Sequence, residues 1–124
     1  MTWLAVGAGG ALGAILRHGI NGWILRSNPL PGFPLGIFVV NIAGSATIGV
    51  LAGLIASNRI QLSPDARTFL IAGILGGFTT FSTFSLDTLN LIRSDQPLMA
   101  FVNVAGQVVL SLALVALGYR ITAA

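Results

Sequence analysis

The sequence predicts an all-α integral membrane protein of four transmembrane helices, and three observations carry that prediction. The 124 residues are 55% hydrophobic and only 7% charged, where an ordinary soluble domain is about 25% charged. The apolar residues fall into four long stretches, each near the ~20 residues that a helix needs to cross a bilayer. Three short connections rich in Pro, Asn, Asp and Ser separate them. The same composition excludes other classes. Cys is absent, so neither a disulfide nor a thiolate metal site can form. The net charge of +3 comes from scattered arginines without a basic run, so nucleic acid is not an expected partner.

The first span is expected over residues 3–25. Trp3 and Trp23 stand 20 residues apart, about 30 Å at the helical rise, which suits the two membrane interfaces. Gly9 and Gly13 form a GxxxG surface on which another helix can approach closely. Arg17 is costly at membrane depth, and it either serves function or snorkels to the nearer interface. Residues 26–34, with three prolines, read as the first loop.

The second span is expected over residues 35–56, as one membrane domain with the rest of the chain. Asn41 brings an amide with two donors and one acceptor into it, and Gly49 and Gly53 form a second close-packing pair. Ser63-Pro64 reads as a helix start, with Ser63 as the cap and Pro64 in the first helical position. The third span is expected over residues 67–93. It contains Gly76-Gly-Phe-Thr-Thr-Phe-Ser-Thr-Phe-Ser85, which is poor material for an unbroken helix. Each glycine weakens a helix by roughly 1 kcal/mol relative to alanine. Thr79 and Thr80 offer hydroxyls that can cap a restarted one. A break is therefore expected at Gly76–Thr79. The fourth span is expected over residues 98–119, where Asn103, Gln107 and Ser111 repeat every four residues and form a polar stripe.

These residues carry no nucleophile, base and acid set, so an enzyme is not expected. No carboxylate stands at the centre of a span, which argues against proton-coupled pumping. The spans offer neutral donors instead: amides, hydroxyls and the backbone N–H groups of a restarted helix, all suited to anions. Phenyl edges carry positive partial charge, so Phe81 and Phe84 can face an anion edge-on, although core packing is the ordinary role of such rings. Backbone carbonyls released at a break suit a hard cation such as sodium. The arginines balance across the two sides: Arg59, Arg67 and Arg120 on one, Arg26, Arg93 and Arg17 on the other. The positive-inside rule then has little to act on, and insertion in both orientations, pairing as an antiparallel homodimer, follows naturally.

The Gly76–Ser85 run, with Gly36-Ile-Phe-Val-Val-Asn41 before it and Arg17 in the first span, closely resembles the CrcB family of fluoride channels over the whole chain. The resemblance implies an antiparallel, dual-topology homodimer in a bacterial or archaeal cell membrane. It implies passive fluoride export through two pores, which lowers cellular fluoride and its toxicity. It also implies a structural sodium, not transported, on the carbonyls of Gly76 and Thr79. The pores would be lined by Phe81 and Phe84, with Asn41 meeting fluoride and Thr80 and Ser82 beside them. Thr83, Asp87, Gln107 and Ser111 would continue a polar track, and Arg17 would stand near the vestibule. Where the family often has Thr and Glu, this chain has Ile37 and Asp87. Two other readings remain at this stage. A four-span drug-efflux transporter relies on a glutamate in its first span, and this chain has no Glu. A non-conducting membrane subunit would use its polar residues only to hold helices together.

Overall fold

The computed structural model describes residues 1–124. Every regular element is helical: α1 (Thr2–Arg26), α2 (Leu35–Ala56), α3 (Pro64–Arg67), a π-helical segment (Thr68–Leu75), α4 (Gly76–Phe78), α5 (Phe81–Arg93) and α6 (Pro97–Ala123). Elements α3 to α5 form the third long run. Three runs, Leu35–Ala56, Pro64–Arg93 and Pro97–Ala123, are long and apolar enough to cross a membrane. The first, α1, is long enough but not apolar enough by the same measure, which differs from the four apolar spans expected. Its six glycines, with Arg17, His18 and Asn21, dilute its apolar face.

Small residues set the packing. α2 and α6 make the most extensive helix pair. Gly49 and Gly53 of α2 lie against Val115 and Tyr119, and Gly118 of α6 lies against Ala46 and Val50. Thr122 donates to the Val50 carbonyl at 3.0 Å and to the Gly118 carbonyl at 2.7 Å. These bonds tie the last turn of α6 to α2, and the helix runs on past Tyr119, where the sequence placed its end. α1 packs on the π-helical segment and α4 in the same manner. Gly9 meets Phe69 and Gly73, Gly13 meets Ile74 and Phe78, and Gly77 meets the backbone of Gly10. Backbones at this separation leave no room for a side chain on either helix.

The third run begins as its cap predicts: Ser63 Oγ accepts from the Ala66 amide at 3.2 Å, and Pro64 takes the first helical position. The helix thus starts at Pro64, as the Ser63-Pro64 pair predicts, and its first turn precedes the span expected from residue 67. Gly76 and Gly77 are helical. Regular winding lapses two residues later, where Thr79 (φ −88°, ψ 154°) and Thr80 (φ −152°, ψ 119°) are extended. Gly77 serves close approach to α1, and the departure from helix falls on the threonines because a partner from another helix is there to receive them.

Only 17 of 124 residues are buried within the chain, and half of the large apolar side chains, Trp3, Trp23, Phe81 and Phe101 among them, face outward. Hydrocarbon or a second chain is the natural cover for such a surface.

Candidate ion pathway

The extended pair Thr79–Thr80 lies against α2. Gly44 makes room for it: a Cβ there would overlap the Thr79 methyl and come within 3.2 Å of the Phe78 ring. One turn earlier, the Asn41 carboxamide takes hold of both backbone groups of Thr80. The Thr80 amide donates to Asn41 Oδ1 at 2.9 Å, and Asn41 Nδ2 donates to the Thr80 carbonyl at 3.2 Å. In a continuous helix the Thr80 amide would bond the Gly76 carbonyl. The Thr83 amide, which would bond the Thr79 carbonyl, is instead accepted by Thr80 Oγ1 at 3.3 Å, and this caps α5. The carbonyls of Gly76 and Thr79 are thereby released from these helical donors.

From Asn41 a chain of side-chain bonds crosses to α6 and returns to α5. Asn41 Nδ2 donates to Gln107 Oε1 at 2.8 Å, Gln107 Nε2 to Asn103 Oδ1 at 2.9 Å, and Asn103 Nδ2 to Thr88 Oγ1 at 3.0 Å. Thr88 Oγ1 closes it on the Phe84 carbonyl at 2.8 Å. Asn103 is fully buried and Gln107 nearly so. Satisfied amides at this depth avoid the cost of an unpaired polar group, about 1–3 kcal/mol each.

A cleft of about 430 Å³ opens beside this network. It brings together Asn41, Gly76, Thr79, Thr80, Phe81, Phe84, Gln107 and Ser111, most of the site residues expected from the sequence. Ser45 also lines it, a residue outside the expected set although it sits one turn from Asn41. The two phenyl rings stand 5.3 Å apart, centroid to centroid, tilted by 47°. Phe84 is 9% exposed and Phe81 78% exposed, so the pair has an inner and an outer member. No ionisable side chain lines this cleft.

The remaining expected residues lie elsewhere. Ser82 is exposed and within 3.2 Å of Thr80 Oγ1, and Thr83 Oγ1 accepts from the same hydroxyl at 3.3 Å. Arg17 is half-buried on α1, outside the cleft. Asp87 belongs to a second cavity of about 520 Å³ between the first loop and the end of α5, with Asn28, Asn90 and Gln96. Its Oδ2 is buried without a hydrogen-bond partner. Thr88 was not legible as part of the network, since a lone Thr in a span carries no signal of its own.

A family model described as CrcB-like protein, Camphor Resistance (CrcB), matches residues 4–119. A protein of Paracoccus denitrificans (strain Pd 1222) named Fluoride-specific ion channel FluC is 49% identical over 121 residues, covering 97% of this chain and 93% of that one. Proteins of the same name from Nitratidesulfovibrio vulgaris (strain DSM 19637 / Miyazaki F) and Hyphomonas neptunium (strain ATCC 15444) are 43% and 50% identical. The first covers 91% of this chain and 90% of the relative. The second covers 79% and 76%.

Proposed function

The chain belongs to the CrcB family, and from that premise we propose that it is a fluoride-selective channel of the cell membrane. Fluoride leaves through it passively and electrogenically, which lowers cellular fluoride and its toxicity. The observation that carries this reading is the near full-length likeness to proteins named for fluoride conduction. The geometry is in keeping with it. The Asn41, Thr80, Gln107 and Ser111 cleft pairs neutral donors with phenyl edges and holds no carboxylate. Fluoride is small and strongly hydrated, so close, strong donors in a narrow path are what can replace its water.

The reading includes an antiparallel homodimer of chains inserted in both orientations. The near-even arginine distribution and the large outward apolar surface favour it. It includes a third span broken at Thr79–Thr80 and a structural sodium on the carbonyls of Gly76 and Thr79. Those oxygens fit such an ion in kind, because both are released from helical donors. Two oxygens from one chain fall short of the six or so that a hard cation prefers, and a second copy doubles them. A sodium ion bound there supplies fixed positive charge beside a neutral path.

The test is efflux from liposomes holding the purified protein, read with a fluoride electrode, with valinomycin carrying the balancing potassium. Rapid fluoride loss that stops without valinomycin, while chloride stays inside, is the expected result. Folded, assembled protein that releases no fluoride would overturn the proposal.

A further inference from the structure

The Asn41 carboxamide has one oxygen and two N–H groups. The oxygen accepts from the Thr80 amide at 2.9 Å, and one N–H goes to the Thr80 carbonyl at 3.2 Å. Both bonds hold the interrupted backbone, so an anion cannot take either without undoing that hold. The second N–H is the one that Asn41 can offer to an ion. It is already engaged, at 2.8 Å, by Gln107 Oε1.

The Gln107 oxygen is turned toward Asn41 by both ends of the network. At the far end the Phe84 carbonyl can only accept, so the Thr88 hydroxyl must donate to it. Thr88 then accepts from Asn103, and Asn103 Oδ1 accepts from Gln107 Nε2 at 2.9 Å. A reversed Gln107 would set N–H against N–H on one side and oxygen against oxygen on the other. Its oxygen therefore rests where an ion at Asn41 would sit. The bond to Asn103 is an anchor about which that oxygen can turn away.

We propose that Gln107 Oε1 is a built-in competitor for the anion at Asn41, and that fluoride binds there by displacing it. This rests on the fluoride-channel reading above and keeps Asn41 as an anion ligand. The exchange trades a neutral acceptor for a charged one, and bonds to an ionised acceptor are roughly twice as strong. Fluoride therefore wins the N–H, with its net affinity lowered by the bond it breaks. Other donors stand ready on the same lining once the oxygen leaves. The backbone N–H of Phe81, in the first turn of α5, has no helical partner. The Ser111 hydroxyl lies one turn further along α6 from Gln107.

The experiment is a fluoride titration of the assembled protein at constant sodium, followed by NMR in the wild type and in Gln107→Met. Methionine is close to glutamine in length and volume and has no strong acceptor. In the wild type, the Asn41 side-chain amide and the side-chain carbonyl carbon of Gln107 should shift together, with one midpoint. In Gln107→Met the Asn41 midpoint should fall about fivefold, the worth of one neutral hydrogen bond. An unchanged or higher midpoint in assembled Gln107→Met overturns the proposal, because a merely supporting residue gives that result. The wild-type titration decides the matter even if the variant does not assemble. An Asn41 signal that moves while the Gln107 carbon stays, or that does not move at all, also overturns it. Wild-type protein that releases no fluoride from liposomes refutes the channel reading itself, a separate outcome.

Discussion

Replacing Asn41 with leucine removes three hydrogen bonds at once: two to the backbone of Thr80 and one to Gln107. Leucine has nearly the same shape, so the loss is polar and not one of volume. Two groups lose their partner outright, the Thr80 N–H and Gln107 Oε1, whereas the Thr80 carbonyl, at the N-cap of α5, keeps the first helical bond. At about 1–3 kcal/mol for a buried group left unpaired, the Thr80 N–H accounts for about 2 kcal/mol. That penalty falls on the extended state of Thr80, because only there does the residue need a side-chain partner. The assay is site-resolved hydrogen exchange at the Thr80 amide in detergent. Protection of a backbone N–H reports the free energy of opening, so about 2 kcal/mol corresponds to exchange roughly thirtyfold faster, at 1.4 kcal/mol per tenfold. Asn41→Asp should recover only part of this. It can accept from the Thr80 amide, but it sets a carboxylate against two other oxygens. Unchanged Thr80 exchange in an assembled Asn41→Leu protein would refute the idea that this side chain holds the interruption open.

Two further outcomes are expected. Gly77→Ala brings a methyl within 2.5 Å of the Gly10 carbonyl oxygen, whereas at Gly76 the nearest atom is 3.6 Å away. Gly77→Ala should therefore lose about 1–3 kcal/mol by overpacking, and Gly76→Ala should fold like the wild type; thermal aggregation in detergent, followed by size-exclusion chromatography, separates the two. Exhaustive exchange of sodium for a large organic cation should dissolve antiparallel pairs, read by cross-linking chains tagged at defined termini. Pairs that are exclusively parallel, or that persist without sodium, would count against the proposed carbonyl site and its dimer.

Much of this architecture is legible because it rests on local chemistry. The Ser63-Pro64 start, the Thr80 cap and the glycine pairs that let helices touch are all written in neighbouring residues, and each appears where the pattern puts it. The polar repeat of Asn103, Gln107 and Ser111 is equally plain. The place where the third run leaves helical geometry was harder to read. Helix propensity points to Gly76 and Gly77, yet both stay helical. Propensity prices only the residue's own backbone, about 1 kcal/mol per glycine. What decides the matter is where the released groups find partners, and Asn41, 39 residues away in sequence, supplies them at Thr80.

The same reasoning explains what composition alone leaves open about the amides. A carboxamide in a span announces donors and acceptors in equal measure, and nothing in its own sequence neighbourhood says which end faces a passing ion. That choice is made by the partners in the network whose polarity is fixed, the Phe84 carbonyl at its far end and, at its start, the Thr80 backbone. Its N–H and carbonyl orient Asn41, and the order propagates through Gln107 and Asn103 to Thr88 without a free step. A helix interrupted beside an amide ladder thus does two things with one set of bonds. It satisfies the backbone that the interruption releases, and it gives a chemically ambivalent row of side chains a single direction. An uncharged cleft can favour anions only if its dipoles are held in one direction. Here the direction comes from the peptide group of Thr80 and the Phe84 carbonyl.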